Sequence, residues 1–143
     1  MIEVTRLKQE SSEILKNLNA LLVELRGESE SAADEKDLKE ILHNPDAVTV
    51  VAKDGNTIVG VCFLFMYQKL GKKKGWVEDV VVSGTYRGRG IGTELMKKII
   101  SIAQSEKITT LQLTSRMDRT AAHALYEKLG FEKYDTQVFR MKL

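Results

Sequence analysis

The chain has 143 residues, a length that favours a single domain over residues 1–143, since domains usually contain about 100–200 residues. The formal net charge is only +2, which gives no indication of a nucleic-acid partner. One cysteine and two histidines are too few for an internal disulfide or a structural zinc site. No apolar run reaches the roughly 18 residues of a membrane span, and no secretory signal is visible. The sequence therefore predicts a cytoplasmic protein with no metal, no membrane contact and no nucleic-acid partner.

The first half of the chain alternates short strands with amphipathic helices. Apolar residues at spacings of three and four predict helices, whereas period-two alternation predicts strands. A helix is expected to end at Gly27 and another to stop before Asn44-Pro45, because the residue before proline avoids helical geometry. The predicted elements are a strand at 1–8, a helix at 10–26, a loop at 27–36, a helix at 35–43, and a hairpin of strands 47–52 and 57–66.

The second half continues the alternation. Valines make its first strand apolar enough to be central, and Gly130 suits the left-handed position that closes a helix. The predicted elements are a turn at 69–75, strand 76–82, helix 90–105, strand 108–114, helix 118–129, and final strands at 131–133 and 137–142. This order implies an α/β domain with a central mixed, mostly antiparallel sheet flanked by helices.

A strand, a loop with three alternating glycines and a helix start follow one another over residues 77–95. Backbone amides at a helix N-terminus, with no Cβ in the way, form a site for phosphate or diphosphate, and two nearby arginines add positive charge. A tight turn whose glycines serve only backbone geometry is the alternative for such a loop taken alone. The dinucleotide fingerprint does not fit, since Thr93 takes the place of its third glycine, and no P-loop string exists.

Two strings in this half resemble the motifs of the GNAT superfamily of N-acetyltransferases. Residues 87–92, Arg-Gly-Arg-Gly-Ile-Gly, resemble the motif Arg-x-x-Gly-x-Gly. Residues 121–131, Ala-Ala-His-Ala-Leu-Tyr-Glu-Lys-Leu-Gly-Phe, resemble the second motif, Ala-x-x-Leu-Tyr followed by Gly-Phe. Two motifs in the right order, with a strand between them, are more specific than either alone. The resemblance implies the GNAT acyl-CoA N-acyltransferase fold and an enzyme that uses acetyl-CoA, without a metal.

The resemblance also implies where acetyl-CoA binds. Its diphosphate is expected on the loop amides, and its pantetheine arm on the main chain of the preceding strand. Tyr126 matches the family tyrosine whose hydroxyl faces the sulfur, so it is a predicted catalytic residue; packing under Gly130-Phe131 is the structural alternative. The implied cofactor-binding residues are Val80, Val81, Val82, Arg87, Gly88, Arg89, Gly90, Ile91, Gly92, Thr93 and Tyr126.

Glu78 is the candidate general base. Period-two alternation is expected to place it on the same strand face as Val80 and Val82, and Asp79 on the opposite face as a fallback. Similar Glu-Asp pairs occur at this point in amino-sugar acetyltransferases of the family. A carboxylate at a strand edge with no catalytic role is an equal alternative.

Three residues bear on the acceptor and the route of transfer. Arg119 stands where the family often has Asn, which leaves open a local salt bridge or an anionic substrate. Ser115 stands where relatives that acetylate protein N-termini often have Glu, so this class of substrate is less expected. Cys62 lies in an apolar strand and is expected in the core, which favours direct transfer over an acyl-enzyme.

The expected function is therefore acetyl transfer from acetyl-CoA to a primary amine of a small molecule or peptide, by direct attack in a ternary complex. The sequence leaves the oligomeric state open, and a homodimer through the C-terminal strands is a family habit. A non-catalytic acyl-CoA binding or sensor module is the alternative, and a protein that binds ATP or NAD is a third possibility.

Overall fold

A five-stranded sheet forms the centre of the molecule in the computed structural model, which describes residues 1–27 and 32–143. The strands lie in chain order across the sheet; β1 to β4 pair antiparallel, and β4 pairs parallel with β5. The mixed, mostly antiparallel sheet predicted from the sequence is confirmed. The strands are β1 (Ile2–Arg6), β2 (Ala47–Asp54), β3 (Thr57–Lys69), β4 (Lys72–Val82) and β5 (Thr110–Leu113).

Helices cover both faces of this sheet and bury an apolar core on each side. The helices are α1 (Ser12–Arg26), α2 (Glu35–His43), α3 (Ile91–Ser105) and α4 (Thr120–Lys128). The leucines of α1 and α2 pack on one face, where Val61, Phe63 and Val81 are buried. Residues of α3 and Tyr126 of α4 pack on the other face, where Cys62 and Leu64 are buried. No helix in the described part of the chain is long and apolar enough to cross a membrane.

Capping residues set the helix boundaries. The Ser11 side chain accepts a hydrogen bond from the Ile14 amide at 3.1 Å, so α1 begins two residues later than the apolar pattern predicts. Asp34 and Asp37 form a capping box, and α2 has the predicted bounds. Gly130, with φ of 103°, follows the end of α4 as expected.

The predicted loops differ in length from the observed ones. Part of the predicted loop 27–36, residues 28–31, lies outside the described residues, and Glu35 already belongs to α2. The predicted turn 69–75 shrinks to Leu70-Gly71, because β3 and β4 continue pairing as far as Lys69 and Lys72.

The predicted C-terminal strands, 131–133 and 137–142, are wrong. The chain after α4 lies in no strand, and β5 is the last strand of the sheet in the described residues. Alternating apolar residues favour an extended backbone, but a strand also needs a neighbouring edge for its hydrogen bonds, and no edge of this sheet pairs with the segment.

Candidate active site

The site lies where two parallel strands separate. β4 pairs with β5 only from Lys74 to Val77, opposite Thr110 to Leu113, and β4 then continues alone to Val82. The amide of Ser83 donates to Val59 of β3 at 2.8 Å. Because backbone groups alternate in direction along a strand, those of Val80 and Val82 point away from β3 into the opening, whereas those of Val81 face β3.

A β-bulge changes the face on which Glu78 lies. Phe63 pairs with Glu78 and Val61 pairs with Val81, so β4 has one extra residue between these two pairs. Paired residues share a face, and Phe63 is buried under α1 and α2; Glu78 therefore lies on that face together with Val81. The predicted shared face with Val80 and Val82 is wrong, since both contact the opposite core.

Asp79 occupies the bulge and is held by an ion pair. Its φ of 52° is in the left-handed region that non-glycine residues seldom adopt. The guanidinium of Arg26, in the last turn of α1, donates to both oxygens of the Asp79 carboxylate, with Nε 3.3 Å from Oδ1. This contact joins residues 53 positions apart and fixes the end of α1 against the bulged strand.

Glu78 has an environment that disfavours its charged form. Partial burial raises the pKa of its carboxyl, and the negative charge of Asp79 raises this pKa further. The positive charge of Arg26 acts in the opposite direction and is the smallest of the three effects. The pKa of Glu78 is thus above its usual range, as is common for carboxylates that exchange protons in a site.

Tyr126 reaches the same opening from α4. Its side chain is only 7% exposed, and its ring packs edge-on against Phe131 at a centroid distance of 6.0 Å. Burial raises the pKa of the Tyr126 hydroxyl, while the positive charge of Arg119 lowers it. Tyr126 and Glu78 both line one cavity of about 400 Å³, together with Val80 and Ser115.

The glycine-rich loop presents free amides at the N-terminus of α3. Gly88 and Gly90 have φ values of 79° and 78°, and the space where a Cβ would lie is open at both. Among the described residues, no protein atom accepts a hydrogen bond from the amides of residues 87–93. Gly92 lies beside Val82 and Leu125, where a Cβ would be 3.9 Å and 3.4 Å from their side chains. Because Val82 is the last residue of β4, the free amides of the helix start lie close to the end of that strand.

Neighbouring side chains hold the loop in place. The Tyr86 hydroxyl donates to Asp54 of the β2–β3 hairpin at 2.6 Å, and the Arg89 guanidinium stacks 4.8 Å above the Tyr86 ring. Glu24 of α1 accepts a hydrogen bond from the Gly84 amide at 2.9 Å. Arg87 donates to the Val82 carbonyl at 3.2 Å. These contacts hold the loop against the end of β4, α1 and the β2–β3 hairpin.

A second cavity, of about 420 Å³, lies beside the first one, on the side of the loop. Val81, Val82 and Arg87 line it on one side, and the first turn of α4, Thr120 to Ala122, on the other. Arg116 and Arg119 line both cavities and form their shared wall. The two adjacent cavities therefore reach from Glu78 and Tyr126 to Arg87, next to the loop amides.

Most of the predicted site residues come together here. Residues 78, 80–82, 87 and 126 line the two cavities, and residues 88–93 form the adjoining loop and helix start. Sequence reasoning missed Arg26, whose pairing with Asp79 has no sequence signal because the two are distant in the chain. It also missed Arg116, and a basic residue just after a strand that borders the site is the signal that could have identified it.

Cys62 is placed as the sequence predicts. It is fully buried, and burial raises the pKa of its thiol to about 12, so almost no thiolate exists at neutral pH. The described residues contain no group of three or more His, Cys, Asp or Glu side chains that could hold a metal ion.

A mixed sheet that opens between two parallel strands, next to a helix start with free amides, agrees with the GNAT N-acyltransferase fold predicted above. The profile of the acetyltransferase (GNAT) family matches residues 15–131. The chain belongs to this family.

Individual relatives agree with the family. The N-alpha-acetyltransferase 30 of Xenopus laevis is 34% identical over 104 residues, which are 71% of this chain and 37% of that protein. The glucosamine 6-phosphate N-acetyltransferase of Trypanosoma brucei brucei is 34% identical over 84 residues, 57% of this chain and 55% of that protein. A Trypanosoma brucei acetyltransferase of known structure has a TM-score of 0.81 and 29% identity, with both chains fully covered. The chain thus spans about a third to a half of the curated relatives named here.

Proposed function

We propose that this protein transfers the acetyl group of acetyl-CoA to a primary amine by direct attack in a ternary complex. The observation that carries the proposal is the pair of adjacent cavities beyond the point where β4 and β5 separate, the first lined by Glu78 and Tyr126 and the second by Arg87 next to the unpaired loop amides. An acyl donor with a diphosphate fits one end, and proton-transfer groups suited to amine acylation stand at the other.

The residues present fit acetyl-CoA. Free amides of residues 87–93, without Cβ atoms at Gly88 and Gly90, suit a diphosphate, and Arg87 and Arg89 add positive charge. Backbone groups of Val80 and Val82 in the opening suit the amides of a pantetheine arm. When bound, acetyl-CoA supplies an activated thioester carbonyl.

Glu78 and Tyr126 have complementary roles in this proposal. An alkylammonium, with a pKa near about 10.4, must lose a proton before it can attack, and Glu78 accepts that proton directly or through one water. The new bond joins the amine nitrogen to the acetyl carbon, while the bond from that carbon to sulfur breaks. The second proton that the nitrogen loses goes to the departing sulfur, directly or by way of the Tyr126 hydroxyl. Tyr126 donates a hydrogen bond or its proton to the departing sulfur. Cys62, buried and protonated, takes no part, which favours direct transfer.

The relatives indicate two classes of acceptor. The names of the two relatives describe acetylation at an alpha-amine and of glucosamine 6-phosphate. A primary amine is the chemistry that both share, and the proposal therefore extends to a primary amine of a peptide or a small molecule.

Two assays test the proposal. Thermal-shift measurements with acetyl-CoA, ATP and NAD are expected to show stabilisation by acetyl-CoA alone, because a ligand that binds only the folded state raises the melting temperature. A panel of amines with thiol detection is then expected to show thiol release. Stabilisation by acetyl-CoA without release by any amine would establish the acyl-CoA sensor instead, and stabilisation only by ATP or NAD would establish a nucleotide binder.

We further propose that residues 1–143 act as one domain and that two copies form a homodimer through the C-terminal segment. Large apolar side chains of this segment are exposed, and three of them alternate along the chain, at Phe139, Met141 and Leu143. β5 has an unpaired edge, since it is the last strand of the sheet in the described residues. Pairing of the segment with β5 of a second copy would cover both the exposed apolar side chains and the unpaired edge of β5.

The cytoplasmic location stays a prediction.

A further inference from the structure

We propose that the acceptor carries an anionic group, a carboxylate or a phosphate, in addition to its amine, and that Arg119 and Arg116 bind this group. The inference rests on the proposed acetyl transfer and names the class of acceptor that the site selects. Its basis is the balance of charges around the cavity that Glu78 and Tyr126 line.

The cavity has more positive than negative charge available to a ligand. Three arginines and two carboxylates line it. Arg26 and Asp79 neutralise each other through their two-point ion pair. Glu78 is then the one remaining carboxylate in the lining, and Arg116 and Arg119 are the two remaining cations. Outside the Arg26–Asp79 pair, the lining of this cavity therefore has one more positive than negative side chain.

Neither of the two remaining arginines has a strong partner among the residues that the structure describes. Arg116 lies 3.7 Å from Asp118, and both side chains are three-quarters exposed, so this ion pair contributes little. Arg119 is half-buried, and its guanidinium forms no ion pair or hydrogen bond with residues 1–27 or 32–143. Burying an unpaired guanidinium is costly because arginine stays protonated, and a ligand anion removes that cost.

The position of Arg119 favours the acceptor as the source of the anion. Arg119 lines the same cavity as Tyr126 and Glu78, which places it beside the reacting groups. The loop amides and Arg89, which suit the diphosphate, stand at the other end of the two adjacent cavities. Arg116 and Arg119 also line the second cavity, so binding of a cofactor phosphate is the competing use of these arginines.

The test compares acceptors that differ only in the anionic group. Lysine is paired with cadaverine, which lacks the carboxylate, and glucosamine 6-phosphate is paired with glucosamine. For at least one pair the anionic member is expected to have the higher kcat/KM. In Arg119→Asn the ratio of kcat/KM within that pair is expected to fall about 10- to 100-fold, the usual effect of one charge-assisted hydrogen bond. Any effect of Arg119 on the reactivity of Tyr126 changes kcat/KM equally for both members of a pair, so it cancels in this ratio.

Matched variants assign the effect. Arg119→Lys should retain part of the preference, and Arg116→Gln should lower it if Arg119→Asn does not fold. Lys98→Gln removes an exposed charge from α3 and should leave the ratio unchanged. Dissociation constants from calorimetry, for acetyl-CoA and for each acceptor, supply a readout that does not require turnover.

The outcomes separate this inference from the proposed function. A preference for the anionic member that collapses in Arg119→Asn, with the acetyl-CoA dissociation constant unchanged, supports the inference. Equal affinity and turnover for both members in every pair overturn it while leaving acetyl transfer intact. A loss of acetyl-CoA affinity in Arg119→Asn, with no change in the acceptor ratio, also overturns it and assigns Arg119 to the cofactor. If no acceptor is acetylated but the anionic member of a pair still binds more tightly, acetyl transfer is rejected and anion binding by the arginines is retained.

Discussion

The hydroxyl of Tyr126 can be tested apart from its ring. In Tyr126→Phe we expect kcat to fall about 10²- to 10³-fold, because the departing sulfur loses its hydrogen-bond donor. The melting temperature should stay the same, since the ring keeps its edge-on contact with Phe131. Tyr134→Phe removes a hydroxyl from an exposed tyrosine and serves as the control for both measurements. Full activity in Tyr126→Phe would leave Tyr126 a packing residue only.

The environment of Glu78 predicts a pH dependence. Glu78 must be deprotonated to act as a base, so kcat/KM should rise with pH through its pKa, which burial and Asp79 hold above the ordinary value of about 4.3. In Asp79→Asn this limb should move to lower pH, because one of the charges that raises the pKa is gone while Arg26 remains. Glu78→Gln should abolish this limb and lower the rate about 10²- to 10⁴-fold. A pH–rate profile checks all three, and a limb that is unchanged in Glu78→Gln would show that another group is the base.

Residue types were predictable from the sequence, but their faces were not. Glu78 and Tyr126 are chemically suitable groups near recognisable motifs, and both line the cavity. The strand face predicted for Glu78 was wrong because the bulge inserts one residue into β4. Counting with a period of two no longer gives the correct face beyond such an insertion. The Arg26–Asp79 pair depends on the packing of α1 against β4, which no local pattern reports.

The loop between β4 and α3 acts through its backbone, which predicts how alanine substitutions behave. Gly90→Ala forces a side chain into the left-handed region at a cost of about 1–2 kcal/mol. We expect it also to weaken coenzyme A binding, since relief of this strain turns the amides of the helix start. Gly71→Ala, with φ of 85° and open space around it in the β3–β4 turn, is the matched control with similar strain far from the loop. Calorimetry should show weaker binding for Gly90→Ala only; equal dissociation constants for the two variants would contradict the assigned role of the loop.

Helices and antiparallel strands were predictable because their signals are local. Asn44-Pro45 ends α2 as expected, and the strands on either side of an Asp-Gly-Asn turn pair as the β2–β3 hairpin. The prediction of C-terminal strands was wrong because their pattern specifies an extended backbone but no neighbouring strand to pair with. β5 is also shorter than the apolar run 108–114 suggests, since it pairs with β4 only up to the point where the two strands separate.

At the scale of the whole molecule, the exposed C-terminal segment predicts a concentration-dependent dimer. Phe139 is 92% exposed, so Phe139→Asp should cost the monomer little while placing a charge in the proposed interface. Light scattering on a sizing column is expected to give twice the chain mass for the wild type and a lower mass for the variant. Val23→Asp, at another exposed apolar residue, is the control. A wild-type monomer at all concentrations would exclude the homodimer.

The central claim is that the free amides between β4 and α3 bind the diphosphate of coenzyme A. Amide resonances of the ¹⁵N-labelled protein, followed by NMR while coenzyme A is added, test it most directly. We predict that the largest shifts fall on residues 88–93 and that smaller ones extend to Val80 and Val82. Binding of coenzyme A with the resonances of residues 88–93 unmoved would contradict the claim.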